Sequence, residues 1–198
     1  MPRLLIATTN PGKQAEFRRL LAPLGAAIVT PQELDLDLRV DEPFDTYAEN
    51  AAAKAAAFGR ASGLPSLADD SGIEVAALAW GPGVRSARWA QEKGREADRM
   101  LEVLAGVTDR RARMVCALAL GLPVSDGAAS VEVFTGVMEG TISRERRGGG
   151  GFGYDPVFVV DGRMTTAELA DDEKDRVSHR GRAVAAAMPR LRALLAET

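Results

Sequence analysis

Apolar positions along the chain change period several times, and each change marks a predicted element. Leu4-Leu5-Ile6-Ala7 is a short apolar run with no polar alternation, which predicts a buried strand. Thr8-Thr9-Asn10-Pro11-Gly12 breaks the run; Asn10 suits an N-cap and Pro11 the first helical position. Phe17, Leu20, Leu21 and Leu24 then recur at helical spacing as far as Gly25. The chain therefore opens strand, loop, helix, with the loop at a helix N-terminus. Residues 26–45 are acidic (Asp35, Asp37, Asp41, Glu42, Asp45) and give no clear element.

A second helix is predicted from near Thr46, with Glu49 completing a capping box, through an Ala-rich stretch to near Gly63. Leu67-Ala68 reads as the end of another buried strand and Asp69-Asp70-Ser71-Gly72 as a sharp polar turn after it. The alternation of Ile73 and Val75 then suggests an extended return. Trp80 to Gly83 reads as loop and Glu92 to Leu104 as helix. Residues 112–122 and 130–140 read as strands with a turn at Ser125-Asp126-Gly127, and Val157 to Val160 as a further strand. Ala183, Val184, Ala187, Met188, Leu191, Leu194 and Leu195 form the stripe of a C-terminal helix that Pro189 should kink. This mixed order argues for an α/β or α+β fold.

Composition narrows the picture. At 198 residues, 46% hydrophobic and 27% charged, the chain is expected to be one globular domain, 1–198. A net charge of −3 argues against non-specific coating of nucleic acid, which needs a basic face. One cysteine, Cys116, and one histidine, His179, exclude an intramolecular disulfide and a Cys- or His-rich metal site. No apolar run approaches the roughly 18 residues of a membrane span, and the short N-terminal run lacks a signal-peptide layout. The expectation is a cytoplasmic protein without a membrane or nucleic-acid partner.

Four stretches could carry chemistry. Thr8 to Lys13 combines backbone N–H groups at a helix start with two hydroxyls, an amide and a lysine, which suits an anionic phosphate chain; the alternative is an Asn-Pro cap with a solvated lysine. Asp69 and Asp70 follow an apolar strand, where one carboxylate could hold Mg²⁺ and activate water while the other fixes a loop; the alternative is a turn with exposed acids. Gly148 to Gly151 lets backbone approach a ligand, with Phe152 and Tyr154 as faces for a planar base; the alternative is a flexible connector with ordinary core aromatics. Lys174, Ser178, His179 and Arg180 place cations near the start of the last helix, with Ser178 as its cap. Lys54 reads as a solvated helix lysine, with a further phosphate contact as the alternative, and Cys116 as a buried core thiol. Trp80 and Trp89 suit either core or a subunit interface.

Together the motifs resemble the non-canonical purine nucleoside triphosphate pyrophosphatase family (inosine or xanthosine triphosphate pyrophosphatases). Six collinear blocks carry the resemblance: T-T-N-P-G-K at 8–13, E-N-A-A-A-K-A at 49–55, A-D-D-S-G at 68–72, P-G-V-R-S-A-R at 82–88, G-G-F-G-Y-D-P-V-F at 150–158 and E-K-D-R-V-S-H-R-G-R-A at 173–183. The resemblance implies an elongated α/β protein with a central mixed sheet, flanking helices and two lobes around a substrate cleft, working as a homodimer. It implies Mg²⁺-assisted hydrolysis of ITP, dITP and XTP to the monophosphate and pyrophosphate, which would sanitise the nucleotide pool. A related house-cleaning pyrophosphatase for other modified nucleotides is the alternative.

Residue by residue, the resemblance implies that Thr8, Thr9, Asn10, Pro11, Gly12 and Lys13 hold the phosphates and that Asp70 is the catalytic carboxylate and a metal ligand. Ser71 would touch substrate, Phe152, Gly153, Tyr154 and Asp155 would line the base and sugar pocket, and Lys174, His179 and Arg180 would complete base recognition. Arg180 as donor would favour a 6-oxo purine over adenine, which presents an amino donor there. Glu42 falls at the family's second metal-site acid, with Asp41 as the alternative; Pro43 and Phe44 stand where the family carries T-G.

Overall fold

The computed structural model describes residues 1–90, 92, 94–123 and 130–196. Its elements are β1 (Arg3–Ile6), α1 (Pro11–Leu21), β2 (Ala27–Val29), α2 (Tyr47–Ser62), β3 (Ser66–Val75), β4 (Gly81–Pro82), α3 (Ser86–Trp89), α4 (Glu96–Val103), β5 (Arg111–Leu122), β6 (Ser130–Ile142), β7 (Phe158–Val160), β8 (Met164–Thr165), α5 (Asp171–Val177) and α6 (His179–Ala196), with short 3₁₀ turns between some of them. The sheet order is β2-β1-β3-β5-β6-β7-β8, with β4 paired to β3. β1 runs parallel to β2 and β3, whereas β6, β7 and β8 pair antiparallel, so the sheet is mixed and the class is α/β as expected.

The chain forms two compact units. Unit 1 comprises Met1–Asp70, Cys116–Gly136 and Arg180–Thr198; unit 2 comprises Ser71–Val115 and Val137–His179. In unit 1 the two-residue period of the strands sorts the core into two layers. Leu4, Ile6, Leu67, Cys116, Leu118 and Leu120 pack with Phe17 and Leu21 of α1 and with Ala183, Val184, Ala187 and Leu191 of α6. The intervening positions Leu5, Ala7, Ala68, Ala117 and Ala119 pack with Ala51, Ala55 and Phe58 of α2. Small residues on this second layer let α2 approach closely. A Cβ at Gly121 would lie 2.6 Å from the Ala55 carbonyl oxygen, and Ser66 Oγ donates to that oxygen at 2.6 Å. Unit 2 has its own core, in which Ile73, Val75, Met100, Leu104, Tyr154 and Phe158 are buried together.

Several sequence expectations are corrected. Asp69 to Gly72 is not a turn: the residues lie inside the ten-residue strand β3, in which Ile73 and Val75 are extended as expected but continue the strand instead of returning. Pairing with β1 at Ser66 and Leu67 and with β4 at Glu74 and Val75 holds the segment extended, which overrides the turn propensity of Asp, Ser and Gly. The helix expected from Glu92 begins at Glu96, after Gly94 takes a φ of 90°. The loop expected at Trp80–Gly83 contains the short strand β4. The turn expected at Ser125-Asp126-Gly127 lies outside the described residues. By contrast, α2 is capped as read: Thr46 Oγ1 accepts the Glu49 N–H at 3.2 Å, and Gly63 ends the helix at φ 66°.

Residues 34–42 carry a period that the sequence reading did not use. Leu34, Leu36, Leu38 and Val40 are partly buried against the α2 layer, while Asp35, Asp37, Arg39 and Asp41 are exposed. Glu42 continues the inward phase and is only partly exposed. Alternation, here without strand pairing among the described residues, favours Glu42 over Asp41 as the inward acid.

Candidate active site

The same strand parity separates the two aspartates of β3. Asp69 shares the phase of Leu67 and faces the α1–α6 layer, where it is 1% exposed. Its carboxylate meets Lys13 Nζ at 2.8 Å and Arg180 at 3.3 Å, and Arg180 also pairs with the buried Glu16. Burial alone would raise the pKa of Asp69. The charges of Lys13, Arg180 and Lys54 outweigh it and hold the carboxyl well below the usual carboxylate range. Burial likewise opposes the charge on Arg180, but Asp69 and Glu16 keep it firmly protonated. Cys116 lies fully buried beneath this group, and burial, with Asp69 adding, pushes its thiol up to about 12. It is the inert core thiol expected.

Asp70 shares the phase of Ala68 and faces the α2 layer. Asn50 Nδ2 donates to Asp70 Oδ2 at 3.0 Å, while the same side chain pairs with the backbone of Phe44, accepting its N–H and donating to its C=O, both at 3.1 Å. Burial raises the Asp70 pKa; the Asn50 hydrogen bond opposes it, and the charge of Glu42 adds to it. Lys54 is not a solvated lysine. It pairs with Glu42 and donates to the Asp69 carbonyl oxygen at 3.0 Å. Burial disfavours its charge, yet Asp69 and Glu42 together raise its pKa.

Two adjacent carboxylates thus have opposite characters. Asp69 is locked in the ionised form as a counter-ion, whereas Asp70 is a better proton acceptor than an ordinary carboxylate. Environments that push two acids apart in this way are how a site divides roles between them. Among the described residues no group of three or more His, Cys, Asp or Glu could by itself hold a metal ion.

The loop before α1 is more self-satisfied than its sequence suggests. Asn10 Oδ1 accepts the N–H groups of Gly12 at 2.9 Å and Lys13 at 3.2 Å, and Thr8 Oγ1 accepts the N–H of Asn10 at 3.2 Å. The helix-start N–H groups of Gly12 and Lys13 are therefore taken by the short Asn10 side chain and that of Asn10 by the Thr8 hydroxyl, so these three are not free for phosphate, contrary to expectation. Thr9, Asn10 and Pro11 are exposed.

In unit 2 the glycine run shapes a loop around Asp155. Gly151 takes a φ of 70°, and a Cβ there would lie 2.1 Å from Asp155 Oδ2. That oxygen accepts the Phe152 N–H at 2.7 Å and Lys174 Nζ at 2.6 Å, and Lys174 Nζ stands 5.3 Å from the centroid of the Phe152 ring. Tyr154 is part of the unit 2 core and its hydroxyl donates to the Ser86 carbonyl oxygen at 2.8 Å, so it anchors the loop from inside. Gly153 has a φ of 62° and open space where a side chain would stand. Ser71 is half-buried on β3, and His179 is buried at the start of α6, directly after Ser178.

Sequence reasoning missed three residues that the structure brings into these groups: Glu16, Asn50 and Thr166. Glu16 precedes Phe17 and Asn50 precedes Ala51 on inward helix faces, so a polar residue at a buried phase was the available signal. Thr166, 1% exposed, had none.

The chain is a mixed-sheet α/β protein with two adjacent aspartates in unlike surroundings, and comparison with known proteins gives its family. The Ham1 family model matches residues 4–190, and the chain belongs to that family. It is 47% identical over 201 residues to a Symbiobacterium thermophilum protein named dITP/XTP pyrophosphatase, covering 98% of each chain. It is also similar to the solved structures of a HAM1 protein from Coxiella burnetii (TM-score 0.82, 37% identity, 100% of each chain) and of the Staphylococcus aureus Ham1 protein (TM-score 0.79, 35% identity, 98% of each chain).

Proposed function

We propose that this chain hydrolyses non-canonical purine nucleoside triphosphates (dITP, ITP and XTP) to the monophosphate and pyrophosphate, sanitising the nucleotide pool, with 1–198 acting as one pyrophosphatase domain. Full-length similarity to proteins named dITP/XTP pyrophosphatase supports the substrate class. The observation that carries the chemistry is the raised, Asn50-oriented carboxylate of Asp70 beside Glu42 and Lys54.

Cleavage at the α phosphate needs a water held in line, a proton acceptor and cations that take up developing charge. Asp70 acts as the base or through Mg²⁺, and Asn50 fixes the direction in which its carboxylate points. Lys13 and Lys54 supply positive charge near the phosphates. The substrate contacts are Thr8, Thr9, Asn10, Pro11, Gly12, Lys13, Ser71, Phe152, Gly153, Asp155, Lys174, His179 and Arg180, with Tyr154 anchoring the loop of Phe152 and Gly153 from inside.

Asp70 and Glu42 fit a hard dication. They are close enough for the charge of one to raise the pKa of the other, a repulsion that a cation relieves. Mg²⁺ commonly takes one or two carboxylates and completes its shell with substrate phosphates and water, so two acids suffice. Bound there, it supplies Lewis-acid stabilisation of the phosphoryl oxygens and a more acidic water. The active form is a homodimer in the cytoplasm. No helix among the described residues is long and apolar enough to cross a membrane.

The test is pyrophosphate release from ITP, XTP, GTP, ATP and dUTP, with Mg²⁺ and with EDTA. Mg²⁺-dependent release chiefly from ITP and XTP, with monophosphate as co-product, is expected. Orthophosphate release, or preference for dUTP, would overturn the substrate reading.

A further inference from the structure

Asp155 is 3% exposed, and both of its carboxylate oxygens are engaged. Oδ2 is shared by the Phe152 N–H and by Lys174 Nζ. Oδ1 accepts the hydroxyl of Thr166 at 2.8 Å. Thr166 is itself fixed from the backbone: its N–H donates to the Phe158 carbonyl at 2.9 Å, and the next N–H, of Ala167, donates to the Asp155 carbonyl at 3.2 Å. The Phe152–Asp155 loop and the Thr166–Ala167 segment that follows it are thereby pinned to each other at Asp155.

We propose that Thr166 is a positioning residue for nucleotide recognition in unit 2, its hydroxyl fixing the Asp155 carboxylate and through it Lys174 and the Phe152 loop. This rests on the reading that Phe152, Asp155 and Lys174 contact the substrate. The terminal torsion of an aspartate is soft and roughly two-fold, so donors on one oxygen alone leave the carboxylate free to pivot. A hydroxyl on the other oxygen is a charge-assisted hydrogen bond and removes that freedom. When the carboxylate pivots, the Phe152 N–H loses its acceptor, and the ammonium of Lys174 moves from its place over the Phe152 ring. Thr166 is not among the groups proposed to hold the phosphates or to take the proton, so its loss weakens binding of ground state and transition state alike. That pattern raises KM and spares kcat.

The variants are Thr166→Val, which keeps the shape and removes the hydroxyl, Thr166→Ala, which relieves crowding should valine fail to fold, and Thr166→Ser, which restores the donor. Thr166→Val and Thr166→Ala are expected to raise KM for XTP about tenfold with kcat within about twofold, the size of one charge-assisted hydrogen bond, and Thr166→Ser to return KM to near the parent value. A second readout needs no turnover. Labelling with ¹⁵N-phenylalanine gives signals from six phenylalanines, and Phe152→Leu identifies the one of interest. Hydrogen exchange at the Phe152 amide is expected to be about tenfold faster in Thr166→Val than in Thr166→Ser, by the same loss of one held acceptor. Unchanged exchange overturns the positioning of Asp155. Faster exchange with unchanged KM, or a fall in kcat that serine does not rescue, overturns the role in recognition. Absence of turnover in the parent enzyme would instead overturn the proposed function, and the exchange readout would still decide whether Thr166 holds Asp155.

Discussion

Each unit is organised around a buried aspartate, and the two are held in different ways. Asp69 in unit 1 is neutralised by cations from far along the chain: Lys13 on α1 and Arg180 on α6, with Glu16 sharing Arg180. Asp155 in unit 2 is held mostly by its own neighbourhood: the Phe152 N–H three residues back, Thr166 and Lys174. The first is a charge network in which several full charges depend on one another. The second is a hydrogen-bonded loop with one ion pair. A charge network keeps its members ionised and its geometry stiff, which suits a support for reacting groups. A loop on one carboxylate can be retuned by a single hydroxyl, which suits recognition of a ligand.

The largest expected effect bears on Asp70, the neighbour of Asp69 proposed as the catalytic carboxylate. Asp70→Asn should lower pyrophosphate release by about 10²–10⁴-fold, the usual contribution of a general base. The fold should be nearly unaffected, because the carboxamide oxygen still accepts the Asn50 N–H. Steady-state kinetics with a thermal melt alongside checks this. Near-parent turnover would move the chemistry off Asp70 and remove the functional contrast between the paired acids.

The next effect is on stability. Asp69→Asn leaves Lys13 and Arg180 short of a counter-charge in a site that excludes water, and breaking a buried pair from one side costs about 3–5 kcal/mol. Asp155→Asn should cost less in the same urea titration, because one cation, Lys174, loses its counter-charge there, against two, Lys13 and Arg180, at Asp69. Equal losses would show that the two aspartates are the same kind of support, and the contrast would fail.

The same difference explains what could be read from the sequence. The unit 2 loop advertises itself, since Gly151 must be glycine where a Cβ would strike Asp155 and φ is positive, and the aromatic residues stand beside it. The helices α1 and α2 were legible from Asn10-Pro11 and from Thr46 with Glu49 because capping is local chemistry. The unit 1 network was not legible in the same way. Glu16 and Arg180 are 164 residues apart in the chain, and nothing near either names the other. Asp69 to Gly72 was misread as a turn because the forces that keep it extended come from β1 and β4. Once the segment is a strand, parity alone assigns Asp69 and Asp70 to opposite layers.

The smallest expected effect probes a device the two units share. In unit 1 the Glu33 carboxylate accepts both the N–H of Thr30, at 2.8 Å, and its hydroxyl, at 3.0 Å; in unit 2 Glu168 does the same for Thr165, at 2.7 and 3.2 Å. The threonine backbone bond is the largest cause of a lowered pKa in both. A carboxylate whose pKa is lower folded than unfolded adds stability above its unfolded value, near 4.5, and that stability is lost as pH falls through the folded value. Glu33→Gln and Glu168→Gln should therefore each lower the melting temperature slightly at pH 7 and converge on the parent in acid below both values. Arg18 Nη2 also donates to both Glu33 oxygens at 2.9 Å, whereas Arg147 stands 3.7 Å from Glu168, so the change at Glu33 should be the larger at low salt and the more salt-sensitive. Identical shifts at both sites, unaffected by salt, would mean that the backbone cap sets the effect and the arginines contribute nothing. Unit 1 would then lose its distinction as the more charge-dependent of the two.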